Sequence, residues 1–191
     1  MFRPRIQVGP AAAVQVLFIL YGFTIAAFFP FLALFLSERG LTAGKIGVVI
    51  AVMAVARIVA NPLWGHVADT SIGRRATLRV GALGAAAAAI GLFLAEAYGA
   101  VVALGFVFAV FSTTTGPNID AIALAHLGQA RMADYGRIRG WESLSYAAAC
   151  LAIGFTLEQS SPRWTMLIYA LASLIVFAWT GVIHRDRPEP A

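Results

Sequence analysis

Four ionisable side chains occupy places where a charge is expensive. Arg57 lies near the middle of one long apolar run, Asp120 late in another, and Arg139 and Glu142 near the start of a third. A charge at the centre of an apolar span costs at least about 2.5–3.5 kcal/mol on insertion scales, so it normally faces a partner or an interior cavity. Asn61 follows Arg57 at i+4 and Trp64 follows at i+7, which sets a guanidinium, an amide and an indole on one helical stripe. Two readings stand at this point. The arginine pairs with a carboxylate or with backbone carbonyls and holds helices together, or it lines a cavity.

Asp120 and Arg139 pose the same question. The midpoint of their positions falls within Gly128-Gln129-Ala130, the expected hairpin between two antiparallel spans. The carboxylate and the guanidinium are therefore expected at similar depth, where they can form a charge pair. Glu142 competes for Arg139 from three residues further on. Ser143, Tyr146 and Cys150 continue a polar stripe beyond it, and Thr113, Gly116, Pro117 and Asp120 share a face of the preceding helix. Gly116-Pro117 is expected to loosen or kink that helix just before the acid. Either these groups form a solute and proton site with acid, base and stacking members, or they form a structural ion pair near an interface. Tyr21 and Thr24 add hydrogen-bonding capacity or simple packing. His66 and His126 read as solvated or capping residues, because a metal site needs more converging ligands.

The elements that position these groups follow from composition. Of 191 residues, 60% are hydrophobic and 12% are charged. The mean hydropathy is +0.82 and the pI is near 10.0. Too little polar surface exists to coat a soluble globule, and disorder needs the opposite balance. The 14 basic residues are scattered rather than clustered, which argues against a nucleic-acid face. The one cysteine, Cys150, excludes a disulfide framework. No nucleotide loop, HExxH or GxSxG is present, so neither an ATP-driven pump nor an enzyme has visible machinery, and no cofactor is implied.

A helix needs about 20 apolar residues to cross hydrocarbon. Six stretches qualify, at 12–36, 46–68, 77–95, 100–124, 138–157 and 164–183, and unsatisfied backbone is not tolerated in lipid, so all are expected to be helices. The expected fold class is an all-α multi-pass membrane bundle. The first span reads as uncleaved, since its apolar run is too long for a signal peptide. With the N-terminus inside, Arg3, Arg5, Arg74, Arg75, Arg79, Arg131, Arg137, Arg139, Arg185 and Arg187 fall on the inner side, against Arg39, Lys45 and Arg163 outside. That bias places both termini in the cytoplasm. Trp164 and Trp179 suit the two interfaces of the last span or serve as lipid-facing filler. Gly81, Gly84, Ala85 and Ala88 form a small-residue face that lets helices approach closely.

Two motifs carry a resemblance. Gly65-His66-Val67-Ala68-Asp69 followed by Gly73-Arg74-Arg75 resembles the loop-2/3 signature of the major facilitator superfamily, with one extra step before Gly73 and Thr70 in place of a basic residue. Tyr135-Gly136-Arg137-Ile138-Arg139-Gly140-Trp141-Glu142-Ser143 resembles the stretch that opens span five in phenylpropionate-type symporters, and lactose-permease-type symporters carry a related stretch. Glu142 departs from that pattern, which has glycine there. Val55-Ala56-Arg57 and Asp120-Ala121 resemble the same relatives' span-two arginine and late span-four acid.

The resemblance implies a six-helix half-bundle of the major facilitator fold in a bacterial inner membrane. Asp120 and Arg139 would then be an acid–base pair facing a cavity, with Trp141 beside it and Arg57 on its wall. The implied activity is symport of a small organic solute with protons by alternating access, an organic anion such as an aromatic acid being favoured by the two arginines. The alternatives are a proton symporter of sugars or nucleosides and a non-transporting truncated or accessory subunit. The expected site comprises Arg57, Asp120, Arg139, Trp141, Glu142, Asn61, Tyr146 and Tyr21, and the expected conformational motif comprises Gly65, Asp69, Gly73, Arg74 and Arg75. The expected partners are the bilayer, the solute and protons. Transport is expected to need a second half-bundle or a parallel second copy, since the chain reads as a fragment ending in a linker-like tail at 185–190 or as a unit that pairs with itself.

Overall fold

The computed structural model describes residues 10–127 and 132–182. Arg3, Arg5, Arg131, Arg185, Arg187, the hairpin at 128–130 and the tail at 185–190 lie outside the described residues.

The described chain is helical throughout. Its elements are α1 (Pro10–Phe28), α2 (Leu32–Glu38), α3 (Ala43–Thr70), α4 (Arg74–Leu94), α5 (Tyr98–Ser112), α6 (Thr115–Leu127), α7 (Met132–Glu158) and α8 (Trp164–Val182). Five helical segments are long and apolar enough to cross a membrane: Ala12–Glu38, Ala43–Thr70, Arg74–Leu94, Tyr98–Leu127 and Trp164–Gly181. The more polar α7 has 27 residues, a length of about 40 Å at 1.5 Å per residue.

Two of these rods are broken, and the sequence explains where. Pro30 cannot donate the hydrogen bond that would carry α1 into α2, and its ring clashes with the carbonyl one turn earlier. The second break separates α5 from α6 at Thr113–Thr114. That is one turn earlier than the kink expected from Gly116-Pro117. Pro117 instead occupies the first turn of α6, where a missing N–H costs nothing. Side chains close the break internally. Thr114 Oγ1 donates to Phe111 O at 2.9 Å, and Asn118 Nδ2 donates to Thr114 O at 2.7 Å. In lipid no water can do this for them.

Packing follows the small residues. α1 lies against α6, α7 and α8, while α4 lies against α5, α6 and α8 and α3 against α5. The expected small face on α4 takes up α5 and the break: Gly81 sits on Thr114 and on Phe111 O, Gly84 sits on the Phe111 ring, and Ala85 and Ala88 are buried. Ser173 Oγ on α8 donates to Ala82 O at 3.0 Å, and Trp179 Nε1 donates to Ala13 O at 3.0 Å. Trp179 therefore ties α8 to α1, whereas Trp164 stays half exposed against Phe93.

At the end of the bundle that holds α2, Glu38 accepts from Ser161 Oγ at 2.6 Å and from Arg163 N–H at 3.0 Å. Arg39 donates to Phe93 O at 2.7 Å. Burial, then the Arg163 cation, pulls the Arg39 guanidinium below its ordinary arginine pKa. These contacts bind the ends of α2, α4 and α8 to one another.

Candidate functional site

The stripe on α3 is split between anchoring and exposure to a cavity. Trp64 Nε1 donates to Val110 O at 2.8 Å, and Thr113 Oγ1 donates to Asn61 Oδ1 at 2.8 Å. Both bonds dock α3 onto the α5–α6 break. Arg57, one turn before Asn61 on α3, is different. It forms no ion pair among the described residues, and its Nε is buried without a hydrogen-bond partner.

Arg57 faces a concavity of about 280 Å³. Tyr21, Thr24, Asn61 and Thr113 supply further polar groups to its wall, and Phe28, Phe108 and Tyr169 supply an aromatic side. Those three rings pack as one cluster, with centroids 4.3 Å apart for Phe28–Phe108, 4.8 Å for Phe108–Tyr169 and 5.8 Å for Phe28–Tyr169. Such pairs add about 0.5–1.5 kcal/mol each beyond burial, so this side of the cavity is stiff. The α1 and α5 breaks lie at the same place. Phe28 and Phe29 flank one and Ser112 and Thr113 flank the other, and all four line the cavity.

The charge pair expected between α6 and α7 is formed. Arg139 Nη1 lies 3.0 Å from Asp120 Oδ1 and 3.1 Å from Oδ2. Tyr135 joins them: its hydroxyl donates to Asp120 Oδ1 at 2.8 Å and accepts from Arg139 Nη1 at 2.9 Å. Glu142 Oε2 is 3.9 Å from Arg139 Nε, beyond hydrogen-bonding range, and is buried without a hydrogen-bond partner. Tyr21 links this cluster to the concavity. Its ring lines the cavity wall, and it lies within electrostatic reach of Glu142, Asp120, Arg57 and Arg139. Its hydroxyl rests on Gly116, where any Cβ would collide with it. Gly116 stands one turn before Asp120, so glycine there is what admits Tyr21.

The structure thus brings Arg57, Asn61 and Tyr21 to one cavity, with Thr24 beside them. Asp120, Arg139 and Glu142 form a neighbouring cluster that is not on the cavity wall. Trp141 is exposed on α7, and Tyr146 packs against the apolar core. His126 Nδ1 lies 2.8 Å from Ile122 O at the end of α6, and His66 is exposed. Thr113 was read from the sequence on the face it shares with Asp120, whereas Tyr135 and the ring cluster were not singled out as site members. Tyr135 had one usable signal, its i−4 spacing from Arg139. The others are ordinary residues of apolar helices.

The loop-2/3 motif builds a tight turn. Gly73 has φ +79°, a conformation that glycine adopts without strain. Arg74 Nη2 bridges the turn to Asp69 at 2.5 Å. Arg75 Nε donates to Thr180 O at 2.7 Å, and its Nη2 donates to Gly181 O at 2.8 Å. A cation on these last carbonyls of α8 complements the helix dipole. Gly65 lies within α3 with open space around it.

An all-α, multi-pass bundle of this kind, with these motifs on it, is one half of a major facilitator fold. Residues 13–187 match the MFS_1 like family, and the chain belongs to that family. It is 31% identical over 178 residues to a maltose permease of Geobacillus stearothermophilus, a match covering 88% of this chain and 43% of the relative. It is 25% identical over 166 residues to the uncharacterized transporter YwbF of Bacillus subtilis, covering 83% of this chain and 41% of that protein. The chain therefore spans less than half the length of these relatives. It is an integral membrane protein with bacterial relatives.

Proposed function

We propose that the chain is the solute-binding half of a proton-coupled secondary transporter for small organic anions, working by alternating access together with a second six-helix unit. The observation that carries this reading is Arg57. It is a permanent cation in mid-span, with an unpartnered Nε beside a cavity whose other polar groups are hydroxyls, a phenol and an amide. A carboxylate supplies what that guanidinium lacks, and the Phe28–Phe108–Tyr169 side suits an apolar or aromatic body. A charged hydrogen bond of this kind contributes about 1.5–3 kcal/mol.

A neutral sugar is the second reading. It is favoured by the relative named maltose permease and by the hydroxyl and amide groups on the wall. The test is uptake into proteoliposomes under an imposed pH gradient, with 3-phenylpropanoate and maltose as probes and the particle mass determined in parallel. The reading expects gradient-driven uptake of the anion by particles holding two copies or a partner unit. Uptake of maltose alone selects the second reading. Gradient-independent leakage of both probes, or uptake by single copies, contradicts the proposal.

A further inference from the structure

We propose that Glu142 is the group that takes up the coupling proton, and that it does so with a fixed ratio of one proton per monoanionic solute. This rests on the anion-transport reading above and assigns the proton within it.

Arg57 and Arg139 are cations, Asp120 and Glu142 are carboxylates, and Tyr21 senses all four. With every group ionised the set is neutral. A monoanion arriving at Arg57 adds one uncompensated negative charge to an apolar span, where such a charge is costly. One proton from bulk water restores neutrality. The O–H bond formed on the carboxylate replaces one broken in a hydronium ion, and no other bond changes.

Two carboxylates compete for the proton, and their surroundings differ. Asp120 receives two hydrogen bonds from Arg139 Nη1 and one from the Tyr135 hydroxyl. A proton on Asp120 would face donors already pointing at its oxygens. Glu142 Oε2 receives none. It is buried, and Arg139 Nε at 3.9 Å is too far to donate to it. The groups facing Glu142 are Tyr21 from α1, Asp120 from α6 and Arg139 from its own helix. None supplies Oε2 with a hydrogen bond. The connection to the solute runs through α1. The Glu142 backbone carbonyl lies against Gly22, next to the Tyr21 that lines the cavity.

Two measurements test the assignment on the full chain in lipid nanodiscs. Infrared titration between about pH 8 and 6, where ordinary solvated carboxylates stay ionised, reads the carbonyl band of a carboxyl group that protonates in that window. The band is expected in the wild type and in Asp120→Asn, and is expected to vanish in Glu142→Gln. A band that survives Glu142→Gln and vanishes in Asp120→Asn overturns the assignment, as does the lack of any such band in the wild type. Proton uptake on adding 3-phenylpropanoate, read with an indicator dye in weak buffer and normalised to solute bound, is expected at one per solute in the wild type and none in Glu142→Gln. An unchanged ratio in the variant overturns it. If wild-type chain binds no 3-phenylpropanoate, the anion reading falls, while the infrared result still decides whether Glu142 is the protonation site.

Discussion

The same helix, α3, carries two kinds of charge. At its end, Asp69 pairs with Arg74 across the turn, and the adjacent Arg75 gives its donors to the last carbonyls of α8. In its middle, Arg57 gives its Nε to nothing. The arginines of the turn are consumed by the fold. The mid-span arginine is left with spare capacity in the place where leaving it so costs most. A protein under pressure only to be stable would replace such a residue with an apolar one. The contrast therefore separates polar groups that the fold has satisfied from one that it has not, a distinction that residue type alone does not make.

Substitutions sharpen the contrast, and their expected effects fall in a clear order. Arg57→Gln is expected to weaken binding of a small aromatic monocarboxylate roughly 10- to 150-fold, the equivalent of about 1.5–3 kcal/mol, as read by quenching of intrinsic tryptophan fluorescence. Gly116→Ala drives a methyl group into the Tyr21 hydroxyl. It is expected to lower stability by about 1–3 kcal/mol in thermal unfolding and to weaken solute binding as well, because Tyr21 leaves the wall. Arg75→Gln strips the α8 carbonyls of a cation and is expected to cost about 1 kcal/mol of stability with solute affinity unchanged. Asp69→Asn breaks a pair whose side chains are 40% and 56% exposed. It is expected to cost less than about 1 kcal/mol, and to leave affinity unchanged. A loss of affinity in the two turn variants would erase the contrast.

Much of this was legible in the residues themselves. A lone arginine within an apolar run announces its own depth, so Arg57 and its stripe could be placed without coordinates. The Asp120–Arg139 pair followed from hairpin symmetry, since two antiparallel helices must match residues equidistant from their turn. Rotation about the helix axis was not legible. Tyr146 shares the polar stripe of α7 with Glu142, yet packs into the core. Tyr135 reaches Asp120 because α7 is turned to present it. The helix break was expected at Gly116-Pro117 and formed at Thr113–Thr114, since a proline is tolerated in a first helical turn and Thr114 satisfies an exposed carbonyl at the break. Phe28, Phe108 and Tyr169 belong to types that fill any membrane helix, so only packing reveals that they form a cavity side.

If Arg57 is kept for a solute and not for the bundle, its charge adds nothing to the stability of the fold. Thermal unfolding of the wild type and of Arg57→Met, each with and without 3-phenylpropanoate, tests it most directly. Methionine keeps much of the side-chain length and removes the charge. The variant without solute is expected to melt at or above the wild-type temperature, and the solute is expected to raise the melting temperature of the wild type alone. A variant that melts well below the wild type yet is stabilised by the solute to the same extent would contradict it.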